Sequence, residues 1–273
     1  MSEKISPKDI TVLSATMLIP LWAKAVEYER PDAILHDKEA ARMLDMIDYD
    51  FTPFAKVKAS QVGCCGRARI LDEMAQRFID GHPDAVVVQL GAGLDARYER
   101  MGRPNVTAWY DLDLPEVIDV RRMLLPESSN RYLGISMFDE AWTDTVAAYG
   151  KPVLLIIEGV LMYFDEAQVR SFFEMVQRKL PGTQVAMDAL SQKMVGRAQQ
   201  HDALKKMNET PPEFRWGVSN AGDVLKLAKG SRLIEEIGLS SLCAPRYPFI
   251  LRLLLKTRWG RENLDVRLMR IQL

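Results

Sequence analysis

The stretch VVVQLGAGLDARYERM, residues 86–101, decides how the chain is read. Three β-branched residues lead into Gly91-Ala92-Gly93, and Leu94-Asp95-Ala96-Arg97 can then open a helix. A buried parallel strand, a turn tight enough to need glycine, and a helix start with unpaired amides together place backbone donors against a polar ligand. The pattern points to a nucleotide-like cofactor without saying which. It lacks the third glycine of the dinucleotide fingerprint and the Gly-Lys-Ser/Thr ending of a phosphate-binding loop. An ordinary strand-to-helix turn is the competing interpretation.

Outward from this stretch, strand and helix patterns alternate. Upstream, Met17, Leu18, Leu21, Trp22, Ala25 and Val26 recur at helical spacing, and Pro20 divides a short first turn from a helix starting at Pro20 or Leu21. A second helix is expected from Asp37, its cap, to Leu44, then irregular chain from Asp45 to Gly66, then a helix from Arg67 to Ile79 ended by Gly81-His82-Pro83. Downstream, the expected strands are residues 85–89, 106–110, 131–135, VLLII at 153–157 and TQVAMDA at 183–189. Helices are expected at 94–101, from Pro115, after Met137, and from an Asp165 cap with Gln168 three residues on. This order predicts an α/β fold with a doubly wound, mostly parallel sheet. The alternating tail DVRLMRIQL, apolar on both faces, predicts a strand inserted between neighbours.

Residues 1–80 are expected to form an N-terminal helical extension, and 81–273 the cofactor-binding core. Between about 191 and 216 the core pattern stops, and a polar run of helical propensity is a candidate lid carrying Met194, Met207, Phe214 and Trp216 toward a substrate. A helical excursion packed on the domain is the equal alternative.

Composition narrows the class. The 36 basic and 37 acidic residues leave a formal charge of -1, with no global attraction for nucleic acid. No apolar run approaches the roughly 20 residues of a membrane span, and MSEKISPKDI carries no export segment, so a cytoplasmic protein is expected. Cys64, Cys65 and Cys243 form neither a disulfide framework nor a zinc set, and no metal is expected. His36, His82 and His201 are read as surface or packing residues. The GxSxG elbow of hydrolases is absent.

Two carboxylates near strand two, Asp111 and Asp113, can each accept hydrogen bonds from ribose hydroxyls; Asp113 comes first, because Asp111 can instead cap the turn. Glu158, directly after VLLII, lies at the ligand edge of such a sheet. Arg67, Arg69 and Arg97 can bind carboxylates bidentately, but Arg67 and Arg69 lie about 200 degrees apart on a helix and have different duties.

Taken together, RARILDE, VVQLGAGLDAR, YDLDLPEV, LLIIEGVLMYF and TMLIPLWAKAVEYERPDAILHD resemble the leucine carboxyl methyltransferase family, especially a bacterial branch acting in polyketide synthesis. The resemblance covers residues 14–180 most clearly. It implies a class I methyltransferase fold with a seven-stranded sheet, S-adenosylmethionine as cofactor, and methylation of an oxygen on a small-molecule carboxylate or phenol; charge and hydropathy add the expectation of no nucleic-acid or membrane partner, and a homodimer is left open. It implies that Arg67 receives the cofactor carboxylate, that Gly91, Ala92 and Gly93 flank its methionine part, that Asp113 binds the ribose, and that Glu158 lies beside its amino group and the reaction centre. Tyr163 would line the substrate side, and Arg97 would orient substrate or support the motif.

Two positions depart from the family pattern. Ser136-Met137 stand where relatives have Asp-Leu at the adenine, with Asp139 a candidate to compensate, and Ala96 replaces a threonine. These departures favour the alternative of a regulatory protein that binds the cofactor without turnover, which retention of Arg67, Gly91, Gly93, Asp113 and Glu158 opposes. Direct transfer to a carboxylate needs no strong base, whereas a phenol would call on Glu158 or Asp188.

Overall fold

The computed structural model describes residues 16–206 and 212–273. Helix α1 (Leu18–Tyr28) runs unbroken through Pro20, which falls in the first turn, where its missing N–H costs nothing. Asp37 caps α2 (Lys38–Asp45), its side chain accepting from the Ala40 N–H. The next helix, α3 (Lys58–Gly81), starts nine residues before the expected Arg67. Gly63 and Gly66, which mark irregular chain in the sequence, lie inside it. A Cβ on Gly66 would stand 2.0 Å from Cys243 Sγ, so glycine here serves close packing rather than a turn.

The alternating core follows as β1 (Val86–Leu90), α4 (Arg97–Arg100), β2 (Ala108–Asp113), α5 (Pro115–Leu124), β3 (Arg131–Gly134), α6 (Ala141–Ala147), β4 (Val153–Ile157), α7 (Glu166–Lys179) and β5 (Gln184–Ala189). Asp165 and Gln168 close the expected capping box on α7. After it come α8 (Ala221–Leu227), β6 (Arg232–Gly238), α9 (Ser240–Cys243), α10 (Phe249–Lys256), α11 (Arg258–Leu264) and β7 (Arg267–Gln272). The seven strands lie in the order β3-β2-β1-β4-β5-β7-β6, with β7 inserted antiparallel between β5 and β6 as its two apolar faces predict.

Strand two begins and ends later than expected, so Asp111 and Asp113 lie on it rather than after it. The helix after the glycines is one turn, not eight residues, because Asp95 N–H closes a turn on the Ala92 carbonyl and Ala96 lies outside the helical region. The described part of residues 191–216 forms no α-helix. It holds three short 3₁₀ turns, at Gln192–Met194, Ala198–Gln200 and Leu204–Lys206.

Both sheet faces are covered, as a parallel sheet requires. Alternate residues Val88, Leu155 and Val185 pack under Phe172, Phe173 and Val176 of α7. The opposite set, Val87, Leu154 and Ala186, packs under Leu71, Met74 and Phe78 of α3. Helix α3, which ends at Gly81, roofs the core itself, while α1 and α2 pack on the loops beyond the strand ends.

Candidate active site

The strand order reverses between β1 and β4, and ligands of open α/β sheets bind in the crevice outside the carboxyl ends at such a point. The register places Leu90 against both Ile157 and Leu112. Gly91, Glu158 and Asp113 therefore leave three adjacent strands side by side. They border a cavity of about 590 Å³, a size within the usual range for small-molecule sites.

The glycine turn is shaped for this approach. Gly91 sits at φ +65, and a Cβ there would come within 2.3 Å of Val160 Cγ2. Ala92 N–H donates to the Leu112 carbonyl at 3.1 Å, and Gly93 N–H donates to Asp113 Oδ2 at 2.7 Å. Asp113 Oδ1 accepts from Leu114 N–H at 2.8 Å. Each oxygen retains capacity for a second donor. Burial raises the Asp113 carboxyl above its ordinary range despite the Gly93 and Leu114 amides.

Behind the turn lies a continuous ion network. Arg67 reaches Glu158 Oε1 at 3.2 Å and Asp188 Oδ2 at 3.1 Å. Glu158 also binds Arg97, which holds Asp72 at 2.7 Å and Asp95 at 3.4 Å. Asp95 pairs with Lys24, and Arg100 joins Asp95, Asp72 and Asp37. Four cations and five carboxylates leave one excess negative charge when all are ionised. Burial would raise Glu158, but Lys24, Arg67 and Arg97 outweigh it and hold the carboxyl below its usual range. Asp188 goes the other way: burial, with Glu158 beside it, raises it against Arg67 and the Gly159 N–H. Gly159, at φ +68, leaves room for the Arg67 guanidinium, since a Cβ there would meet Nη2 at 2.8 Å.

Most expected site residues meet at this cavity: Arg67, Gly91, Ala92, Gly93, Asp113, Ser136, Met137, Glu158 and Tyr163 all line it. Arg97 does not. It is fully buried behind Glu158, so it positions that carboxylate and cannot orient a substrate directly. Asp139 is also turned to another task, accepting from the Ala141 N–H at the start of α6, and it does not compensate at the adenine position. Asp111 neither lines the cavity nor caps a turn; it is buried between Trp109, Arg121 and Asn130. Of the four lid candidates, Phe214 lines the cavity, Met194 and Trp216 do not, and Met207 lies outside the described residues. Trp216 belongs to the sheet core instead.

Sequence reasoning missed Lys24, Asp72, Asp95, Arg100 and Gln89. Gln89 Nε2 donates to Asp95 Oδ2 at 2.9 Å, while its buried Oε1 has no partner among the described residues although the side chain borders the cavity. The one available signal was polar residues in otherwise apolar segments, Lys24 within the α1 stripe and Gln89 within VVVQL. His201 also borders the cavity, edge-on to Phe214, with Nε2 3.3 Å from Ser60 Oγ. Burial lowers its pKa and keeps it neutral.

The cavity fits a cofactor with a cationic amino-acid end and a ribose. The orphaned Gln89 acceptor and the excess negative charge suit an ammonium and a sulfonium, Arg67 suits a carboxylate, and the Asp113 oxygens suit hydroxyls. The fold and this site define a class I S-adenosylmethionine-dependent methyltransferase.

Comparison with known proteins agrees. Residues 17–177 match the leucine carboxyl methyltransferase family, and the chain belongs to that family. It is 36% identical over 228 residues to a tetracenomycin polyketide synthesis O-methyltransferase from Streptomyces glaucescens, covering 83% of each chain. It is 26% identical over 182 residues to an S-adenosyl-L-methionine-dependent methyltransferase from Gibberella zeae, covering 61% of each. Among solved structures, a SAM-dependent methyltransferase from Anabaena variabilis shares the fold at TM-score 0.51 and 9% identity, over 74% of this chain and 83% of that one.

Proposed function

We propose that this methyltransferase forms a methyl ester on a carboxylate of a small, largely apolar organic acid. The observation that carries this reading is that Glu158, Tyr163 and Cys64, which border the cavity, are not set up as bases. Glu158 is held ionised between two guanidiniums and below its usual range. Burial pushes the Tyr163 hydroxyl up to about 12 and raises the Cys64 thiol. A carboxylate acceptor is already ionised near neutral pH and needs none.

In this reading Arg67 holds the cofactor carboxylate, Gln89 Oε1 and Glu158 receive its ammonium, and Asp113 binds the ribose hydroxyls. Gly91, Ala92 and Gly93 let the backbone approach, while Met137 and Ser136 border the adenine. Ser136 Oγ already accepts from Phe138 N–H at 3.2 Å and, as a neutral hydroxyl, offers the adenine amine a weaker acceptor than a carboxylate would. When bound, the cofactor supplies an electrophilic methyl group on a sulfonium. The chain's own contribution is orientation and exclusion of water. Ile19, Met162, Phe164, Leu204 and Phe214 line the acceptor side with apolar surface, the last two from the candidate lid segment. Arg215, on the same cavity and without a carboxylate partner among the described residues, supplies a cation for the incoming acid. Close positioning of an anion and a cation whose charges cancel along the reaction is favoured in a dry site.

The neutral His201 ring supports a second reading, a phenolic acceptor with His201 taking the proton. The pH dependence of kcat/KM separates the two. A carboxylate acceptor gives a flat profile from about pH 6 to 8 that His201→Ala leaves flat. A rise through the histidine range that His201→Ala abolishes replaces the first reading with the second. Binding of S-adenosylmethionine without methyl transfer to either acceptor class would instead mark a regulatory protein.

A further inference from the structure

The C-terminal helices carry a surface that the methyl-transfer site does not use. Among the described residues, seven of the eleven exposed large hydrophobics lie within 242–264, among them Phe249 at 72% and Ile250 at 74% exposure. Single exposed apolar residues are ordinary, but this concentration is not. On α10, Phe249, Leu253, Ile250 and Leu254 occupy one continuous arc of about 140 degrees, and only Leu255 on the opposite side is buried. Gly260 lets α11 close against this helix, since a Cβ there would stand 1.9 Å from the Leu254 carbonyl oxygen. Trp259 is thereby carried in beside α10, half exposed, with Lys193 Nζ over its ring at 5.1 Å.

Charge decides what this surface fits. Residues 246–264 contain Arg246, Arg252, Lys256, Arg258 and Arg261 against one acid, Glu262; Arg246 pairs with Glu27 and Asp32 and Arg258 with Glu262, which leaves Arg252, Lys256 and Arg261 as the surplus. Arg252 and Lys256 stand next to the apolar arc and have no ion pair among the described residues. A two-fold dimer would set this basic rim against itself, because an isologous interface pairs a patch with its own copy. An anionic bilayer offers the opposite sign together with an apolar interior.

We propose that α10 and α11 lie in the interface of a membrane bearing anionic lipid, with Phe249, Ile250, Leu253 and Trp259 among the acyl chains and Arg252 and Lys256 at the headgroups. The geometry is that of a basic amphipathic helix lying on a bilayer, and it involves no spanning segment. Ser191 Oγ donates to the Asn263 carbonyl at 2.8 Å, tying this face to the candidate lid segment and placing the acceptor side near the membrane.

The test is sedimentation of the full chain with vesicles of phosphatidylcholine alone and of phosphatidylcholine containing phosphatidylglycerol, at about 0.1 M salt. Retention is expected on the mixed vesicles only, weakening as salt rises. Arg252→Ala and Lys256→Ala should each reduce it about fivefold. Phe249→Ser with Ile250→Ser should reduce it by more than tenfold, with S-adenosylhomocysteine affinity unchanged as the folding control. Trp259 gives a readout that needs no variant, since the other four tryptophans are buried. Brominated lipid should quench its emission. No retention on mixed vesicles, or retention with no quenching, overturns the proposal. So does a concentration-dependent dimer that Phe249→Ser with Ile250→Ser converts to monomer, since the patch is then a contact between copies.

Discussion

Glu158 touches Arg67 on the cavity side and Arg97 on the buried side, so one carboxylate links the ligand-facing cation to a wholly enclosed one. Removing one member of a buried pair leaves the other charge uncompensated, which costs about 3–5 kcal/mol. Arg97→Gln should therefore lower stability by that amount in urea unfolding while leaving the pH profile of turnover unchanged, as befits a positioning residue. Asp113→Asn keeps the side chain's size but gives up a charged acceptor. It should weaken S-adenosylhomocysteine at least tenfold by calorimetry, and unchanged affinity would remove Asp113 from the ribose site. At this scale the sequence was legible where strand order alone aims a residue, as for Gly91, Asp113 and Glu158 at adjacent strand ends. Arg97 was not legible in that way. Its direction depends on Asp72, Asp95 and Glu158, which come from α3, the glycine turn and β4 and meet only in the folded chain.

Among the elements, β4 was read with its observed ends, because VLLII is apolar throughout and bounded by Pro152 and Glu158. The capping box at Asp165 and Gln168 was likewise local information. The start of α3 was hidden for a tertiary reason, since Gly63 and Gly66 look like breakers until Leu239 and Cys243 of the distant C-terminal part pack on them. Gly66→Ala should cost about 1–3 kcal/mol through overpacking, and Cys243→Ala in the same chain should recover part of it. Absence of recovery in a double-mutant cycle would place the strain elsewhere. The helical propensity of residues 191–216 gives no α-helix in their described part, because propensity is a weak guide where packing decides. Ala198, Leu204 and Phe214 are buried there without forming a helical stripe.

For the whole molecule, the sheet is completed by its last segment. Strand β7 bonds to β5 on one side and β6 on the other, and Leu268, Met269 and Ile271 are fully buried. Ending the chain at Asp265 exposes the edge of β5 and strands β6, so the truncated protein should lose its cooperative unfolding transition; a truncated chain that melts like the full one would contradict this topology. The same sheet sets Gly91, Asp113 and Glu158 around one cavity, the place where methyl transfer to a carboxylate is proposed. The most direct measurement incubates the protein with methyl-labelled S-adenosylmethionine and matched small apolar acids and phenols, then identifies the labelled product by mass spectrometry before and after mild alkali. Label is expected in an alkali-labile methyl ester, abolished by Glu158→Gln. Label only in an alkali-stable ether, or cofactor bound with no label transferred to either class, would contradict it.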